Sequence, residues 1–123
     1  MMASQTSVHE KSALFNEERS VHFHVVRMGE GFYVWAGDER GRMDNLAVAI
    51  QTRFDQMPSA RELLDSGKDD GPGRAMATRL AKRFKAPVFL SVNFPTLEDE
   101  LALFVERELL ALIGEAARSG EAP

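Results

Sequence analysis

The chain has 123 residues, a formal net charge of −4 and no cysteine. That length suits one domain with a core that needs no covalent staple, and the lack of cysteine excludes disulfides and thiolate chemistry. No stretch approaches the ~18 apolar residues of a membrane span, the opening MMASQTSVHEKSALF lacks the apolar run of a secretory signal, and the mixed charges with an acidic balance argue against nucleic-acid binding, which depends on neutralising phosphate.

In chain order, residues 1–7 read as a disordered N-terminus. Over residues 8–15, His9, Lys11 and Ala13 alternate with Val8, Glu10, Ser12 and Leu14, as in a loop or an edge strand. Val21, Phe23 and Val25 then alternate with His22 and His24, the period of a strand. Met28-Gly29-Glu30-Gly31 offers the glycines of a tight hairpin, and Phe32, Tyr33, Val34 and Trp35 are good strand formers, so these two segments pair antiparallel. Tyr33 and Trp35 share one face and Phe32 and Val34 the other. Two helices can cover one apolar face of such a sheet, and the second face then needs another sheet or a partner.

Residues 45–55 are ambiguous. Leu46, Val48, Ile50 and Phe54 fit one face of a strand, while Leu46, Ile50, Phe54 and Met57 fit a helical stripe. Met57-Pro58 interrupts the segment, and residues 59–64, read alone, fit a helical turn capped by Ser59 with Glu62 three residues later. Gly67 to Gly73 is a loop by composition and lacks the order of a Walker A phosphate cradle. Residues 74–85 form a helix: Met76, Leu80 and Phe84 recur every fourth position beside Ala77 and Ala81. Arg74, Arg79, Lys82, Arg83 and Lys85 surround that helix, either as its solvated side or as a docking face for an acidic protein surface. Pro87 stops it, and residues 88–94 read as a central strand with Val88, Leu90, Val92 and Phe94 on one face. Thr96 is placed to cap a last helix whose core stripe is Leu97, Leu101, Phe104, Val105, Leu109 and Leu112. Leu103 and Leu110 lie off that stripe, and the stop falls at Gly114 or at Arg118-Ser119-Gly120.

The chemistry-bearing residues make a weak case for catalysis. Ser91 stands in LSVNF rather than G-x-S-x-G, so it reads as a strand serine. Asp44 with Asp55, or His22 with Asp44, would pair only if the fold brought them together. His22 and His24 share a strand face about 6.5 Å apart, and with His9 they are the one constellation that could serve a zinc-dependent enzyme. The expectation is no enzyme, metal or other cofactor.

VHFHVVRM, YVWAG, NLAVAI and RFD, followed by RLAKR and VFLSVNF, resemble the proteasome assembly chaperone 4 family in order and spacing. The resemblance covers about residues 8–111 and is weaker over 59–70. It implies an α+β domain, spanning residues 8–114 with a tail at 115–123, whose strand–helix order is βββββαβα. In it a first strand lies before Asn16, residues 45–55 and 60–64 are strands, and an antiparallel sheet of about six strands carries both helices on one face. It implies a non-catalytic chaperone for the 20S proteasome α ring, paired with a proteasome assembly chaperone 3-like subunit, in the cytoplasm and also the nucleus. A generic interaction scaffold is the alternative. Nucleic acid and membrane are not among the partners. Phe23, Val25, Tyr33 and Trp35 are the residues expected to include both core and partner-contact positions, with Arg79, Lys82 and Arg83 as docking cations.

Overall fold

The computed structural model describes residues 6–43, 45–50, 59–64, 71–94 and 96–119. The readings of Arg53-Phe54-Asp55 and Met57-Pro58, of the paired carboxylates Asp44 and Asp55, and of residues 65–70 and 120–123 lie outside them, as do residues 1–5 of the N-terminal stretch 1–7, whose Thr6 and Ser7 stand in the first strand.

Strands β1 (Thr6–Phe15) and β2 (Arg19–Met28) meet at a turn in which Asn16 and Glu17 have φ of 54° and 60°. Two successive left-handed residues give the type I′ geometry, whose twist matches that of the flanking strands. Between β2 and β3 (Gly31–Gly37), Met28 pairs with Gly31, and Gly29 at φ 59° supplies the first turn position of a type II′ hairpin. The chain continues through β4 (Leu46–Ile50), β5 (Ser59–Leu64), helix α1 (Gly71–Phe84), β6 (Val88–Asn93) and helix α2 (Asp99–Ser119). The ambiguous residues 46–50 and 59–64 are thus strands, paired antiparallel with a bulge at Leu46/Ala47.

The strand order is β1-β2-β3-β6-β4-β5. Every pair is antiparallel except β3 and β6, which run parallel with Val34 opposite Leu90. β6 enters the middle of the sheet after α1, so it lies between strands that precede it in the chain.

Both helices lie on one face: α1 packs on β4, β5 and β6, and α2 on β1 and β2. Beneath them a cross-strand row runs Val25, Val34, Leu90 and Ala47, all buried. Met76, Leu80 and Ala81 close it from α1, and Leu101, Val105, Leu109 and Ile113 from α2. Phe104 packs on Phe15 and Phe23 at ring-centroid distances of 5.3 and 6.5 Å.

The helix ends differ from the pattern-based expectation. Ala102 N–H donates to Glu98 C=O (2.9 Å), so Glu98 rather than Thr96 stands at the cap position. Its carboxylate does not turn back to the helix; it receives two 2.9 Å hydrogen bonds from Arg19 and ties α2 to the start of β2. α1 ends on Lys85 at φ 52°, and Ala86 N–H reaches back to Ala81 C=O (3.3 Å), the wide bond of a Schellman ending. Gly114 does not stop α2, which runs on to Ser119 with Ala116 fully buried. Arg27 donates to the carbonyls of Ala116 (3.3 Å) and Ala117 (2.9 Å), so a β2 cation holds the negative end of α2.

Candidate docking surfaces

The face of the sheet away from the helices carries its own apolar row. Val8, Val26, Tyr33, Phe89 and Val48 lie opposite one another across β1, β2, β3, β6 and β4, and Arg61 on β5 ends the row. The four central members are half-buried and Val8 is 60% exposed. Leu14, Met28 and Ile50 also stand exposed on this face. Alternation explains why: the residues between those of the core must point outward, and here they too are apolar. Toward one end the face turns polar, through the row Glu10, His24, Trp35 and Ser91 and then Ser12, His22, Gly37 and Asn93.

The segment after β3 is held against this face. Trp35 Nε1 donates to Arg42 C=O (2.9 Å), and Tyr33 O–H donates to Met43 Sδ (3.2 Å). Burial pushes the Tyr33 phenol above its usual value. The Trp35 ring lies over Gly37: a Cβ there would come within 2.6 Å of the indole. At the start of the segment, Arg40 makes a two-point pair with Asp38 (3.1 and 2.8 Å), and its hydrogen bonds hold the Asp38 carboxyl below its usual value. At the end, Asn45 extends the sheet with its side chain, donating to Val92 C=O (2.6 Å) and accepting from Val92 N–H (3.1 Å). Ser91 Oγ donates to Asn45 C=O (2.6 Å) and accepts from Asn93 Nδ2 (2.8 Å). Ser91 and Asn93 are therefore buried polar groups that fix backbone, which accounts for polar residues inside an apolar strand.

The four expected core-and-contact residues divide by face. Phe23 and Val25 are 0% exposed beneath the helices, whereas Tyr33 and Trp35 belong to the open face, where both also hold the segment after β3. Met43, Val48 and Phe89, which the sequence reading left out of the contact set, stand beside them. The only sequence signal for them was two-sided apolar character.

The three histidines do not converge. His22 and His24 lie on the open face, bonded to Ser12 (2.8 Å) and set 3.3 Å from Glu10, and His24 stacks edge-on against Trp35 at 5.4 Å. His9 pairs opposite Val25 and so lies on the helix-covered face, near Ser7 (3.0 Å). Two faces of one sheet cannot close a three-ligand zinc shell. A cleft of about 340 Å³ opens between the start of β2, residues 38–40, Phe94 and Leu101. Its rim cations Arg19 and Arg40 are already paired with Glu98 and Asp38, which removes the charge an anionic ligand would seek.

On the outer side, α1 carries no acidic residue over GPGRAMATRLAKRF. Arg79 forms a two-point pair with Glu106 of α2 (2.8 and 2.6 Å), which raises its pKa, while Lys82 and Arg83 are exposed in the last turn. Leu103 and Leu110 on α2 are 64% and 36% exposed, so the helix has an apolar outer stripe as well as its core face.

The family model for proteasome assembly chaperone 4 matches residues 20–94. Those bounds run from β2 to the residue after β6, and include both strands that hold the segment over the open face. Human proteasome assembly chaperone 4 is 35% identical over 92 residues, 75% of this chain and 73% of the relative. The mouse protein of that name is 32% identical over 106 residues, 86% of this chain and 84% of the relative. A chain from the crystal structure of a chaperone complex for yeast 20S proteasome assembly shares the fold at a TM-score of 0.65 and 18% identity, covering 88% of this chain and 96% of that one. With a family match from β2 through β6 and two relatives above 30% identity over most of their length, this chain belongs to the proteasome assembly chaperone 4 family.

Proposed function

We propose that this protein is a non-catalytic chaperone for assembly of the 20S proteasome α ring, acting as a heterodimer with a proteasome assembly chaperone 3-like subunit. Family membership carries the proposal. The open sheet face supplies its physical basis: the row from Val8 to Val48 is an apolar surface on the side the helices leave bare. Stacking a second sheet on it would hide about 1,600 Å² in total, the usual size of a specific interface. The face opposite, with Arg79, Lys82 and Arg83, is then available to α subunits.

Binding of this kind works by shape and charge and needs no nucleotide, metal or other cofactor. Nucleic acid and membrane are not partners in this reading, and among the described residues no helix is long and apolar enough to cross a membrane. The place of action is the cytoplasm, and the nucleus as well. Reversing Lys82 or Arg83 weakens α-subunit docking modestly and in a salt-dependent way, because exposed charges mainly steer encounter.

Co-expression with the partner, pull-down from cytosol and mass spectrometry test the proposal. The expected result is a one-to-one heterodimer enriched in free α subunits and half-built rings, with little mature proteasome. A complex that captures no α subunit, from cells that build α rings normally without it, would return the chain to a generic interaction scaffold.

A further inference from the structure

We propose that the outer edge of β1 is a second interaction surface, and that its partner is β1 of another copy of this chain, paired antiparallel about a two-fold axis at Lys11. This edge is separate from the open sheet face, and the proposal does not depend on the heterodimer reading.

A sheet edge presents backbone donors and acceptors to any strand that can reach them, and proteins blunt such edges with short strands, prolines and bulges. The two edges here differ. β5 has six residues, follows Pro58 in the chain, and its register with β4 skips Leu63, a bulge that disturbs the ladder. β1 has ten residues, contains no proline, and pairs with β2 in an unbroken register from Thr6 to Phe15. A long, regular strand that ends the sheet is a template for one more.

The residue pattern of β1 identifies the added strand. Val8 and Leu14 are its two exposed large apolar residues, at 60% and 59%, and they stand three positions either side of Lys11. In a two-fold antiparallel pair centred on Lys11, Val8 faces Leu14 of the second copy and Leu14 faces its Val8, so each exposed side chain covers another. Glu10 faces Ser12 in the same way, and His9 faces Ala13. Facing residues have the same parity, so the open faces of the two copies are continuous. The apolar row that ends at Val8 then runs on into Leu14 of the second copy. The one meeting of like charges is Lys11 with Lys11 at the axis. Each is bonded to Glu108 of its own α2 (2.7 Å), so each arrives as a neutral pair. Edge pairing of this length hides less than the ~1,200 Å² of a stable interface, so the association is weak and reversible. It would join two heterodimers edge to edge and leave their one-to-one composition unchanged.

Sedimentation equilibrium of the full chain alone, over a concentration series, tests the register by a charge exchange. Val8→Lys and Leu14→Glu each set a charge against an apolar residue at both ends of the pair. Because every dimer holds two such pairs, each variant is expected to weaken self-association about fivefold or more. The double variant Val8→Lys/Leu14→Glu sets lysine opposite glutamate across the axis and is expected to associate more tightly than either single variant. Within one chain the two positions lie about 20 Å apart along the strand, so that recovery cannot come from an internal pair. Unfolding midpoints of the single variants should match the parent, because both side chains are exposed. An equimolar mixture of the two single variants restores one of the two pairs, and it gives the same reading if the double variant folds poorly. A parent chain that stays monomeric at the highest concentration overturns the proposal. So do single variants that associate as the parent does, or a double variant and a mixture no tighter than the singles.

Discussion

Replacing Asn45 by alanine is the sharpest test of how the segment after β3 is held. The side chain makes two hydrogen bonds to the backbone of Val92, at 2.6 and 3.1 Å, and Val92 is 7% exposed. Each bond contributes about 1 kcal/mol net, and leaving a buried N–H and C=O without partners costs about 1–3 kcal/mol apiece. Asn45 itself is half-buried, so water reaches part of the gap and the lower portion of that range applies. The expected loss is about 2–4 kcal/mol, or roughly 6–15 °C in Tm for a chain of this size. Urea unfolding followed by fluorescence measures it directly, because Trp35 is the sole tryptophan. The m-value should not change, since the surface exposed on unfolding is the same. A loss under about 0.5 kcal/mol would mean that Val92 finds other partners and that Asn45 is not an extension of the sheet.

Three further outcomes follow from the geometry. Phe23→Ala should cost about 3–5 kcal/mol in the same assay and Val8→Ala about 0.5 kcal/mol or less, because Phe23 is 0% and Val8 60% exposed; equal losses would contradict the division of faces. Gly37→Ala drives a Cβ to 2.6 Å from the Trp35 ring, so it should destabilise by about 1–3 kcal/mol and shift Trp35 emission to the red, whereas an unchanged spectrum would place the ring elsewhere. Hydrogen bonds from Arg40 lower the Asp38 carboxyl pKa, so its contribution is present above the usual carboxylate value of 3.8 and is lost as pH falls through the lower folded value. The pair is partly exposed, Arg40 more than Asp38, and contributes less than about 1 kcal/mol, so removing it with Asp38→Asn should flatten the acid limb of the stability curve only slightly, and a large change would imply a pair shielded from water.

Much of the fold was legible in the chain itself. Alternation in residues 21–28, the glycines around Glu30 and the four-residue spacing of Met76, Leu80 and Phe84 depend only on backbone period and turn chemistry, and they are matched by β2, β3 and α1. Two-sided apolar character at Phe32 to Trp35 also marked a second apolar face. Residues 46–50 were different: five residues of Leu, Ala, Val and Ile suit helix or strand equally, and only pairing with β5 and β6 makes them β4. Tertiary structure alone decided the rest, for one physical reason: period two separates two faces without saying which one the helices will cover. Packing of α2 on β1 and β2 made Phe23 and Val25 core and left Tyr33 and Trp35 open. Entry of β6 beside β3 brought Ser91, Val92 and Asn93 to Asn45, more than forty positions away in the chain, so no local pattern could have revealed that Asn45 completes the sheet or that the Met43 sulfur meets the Tyr33 hydroxyl.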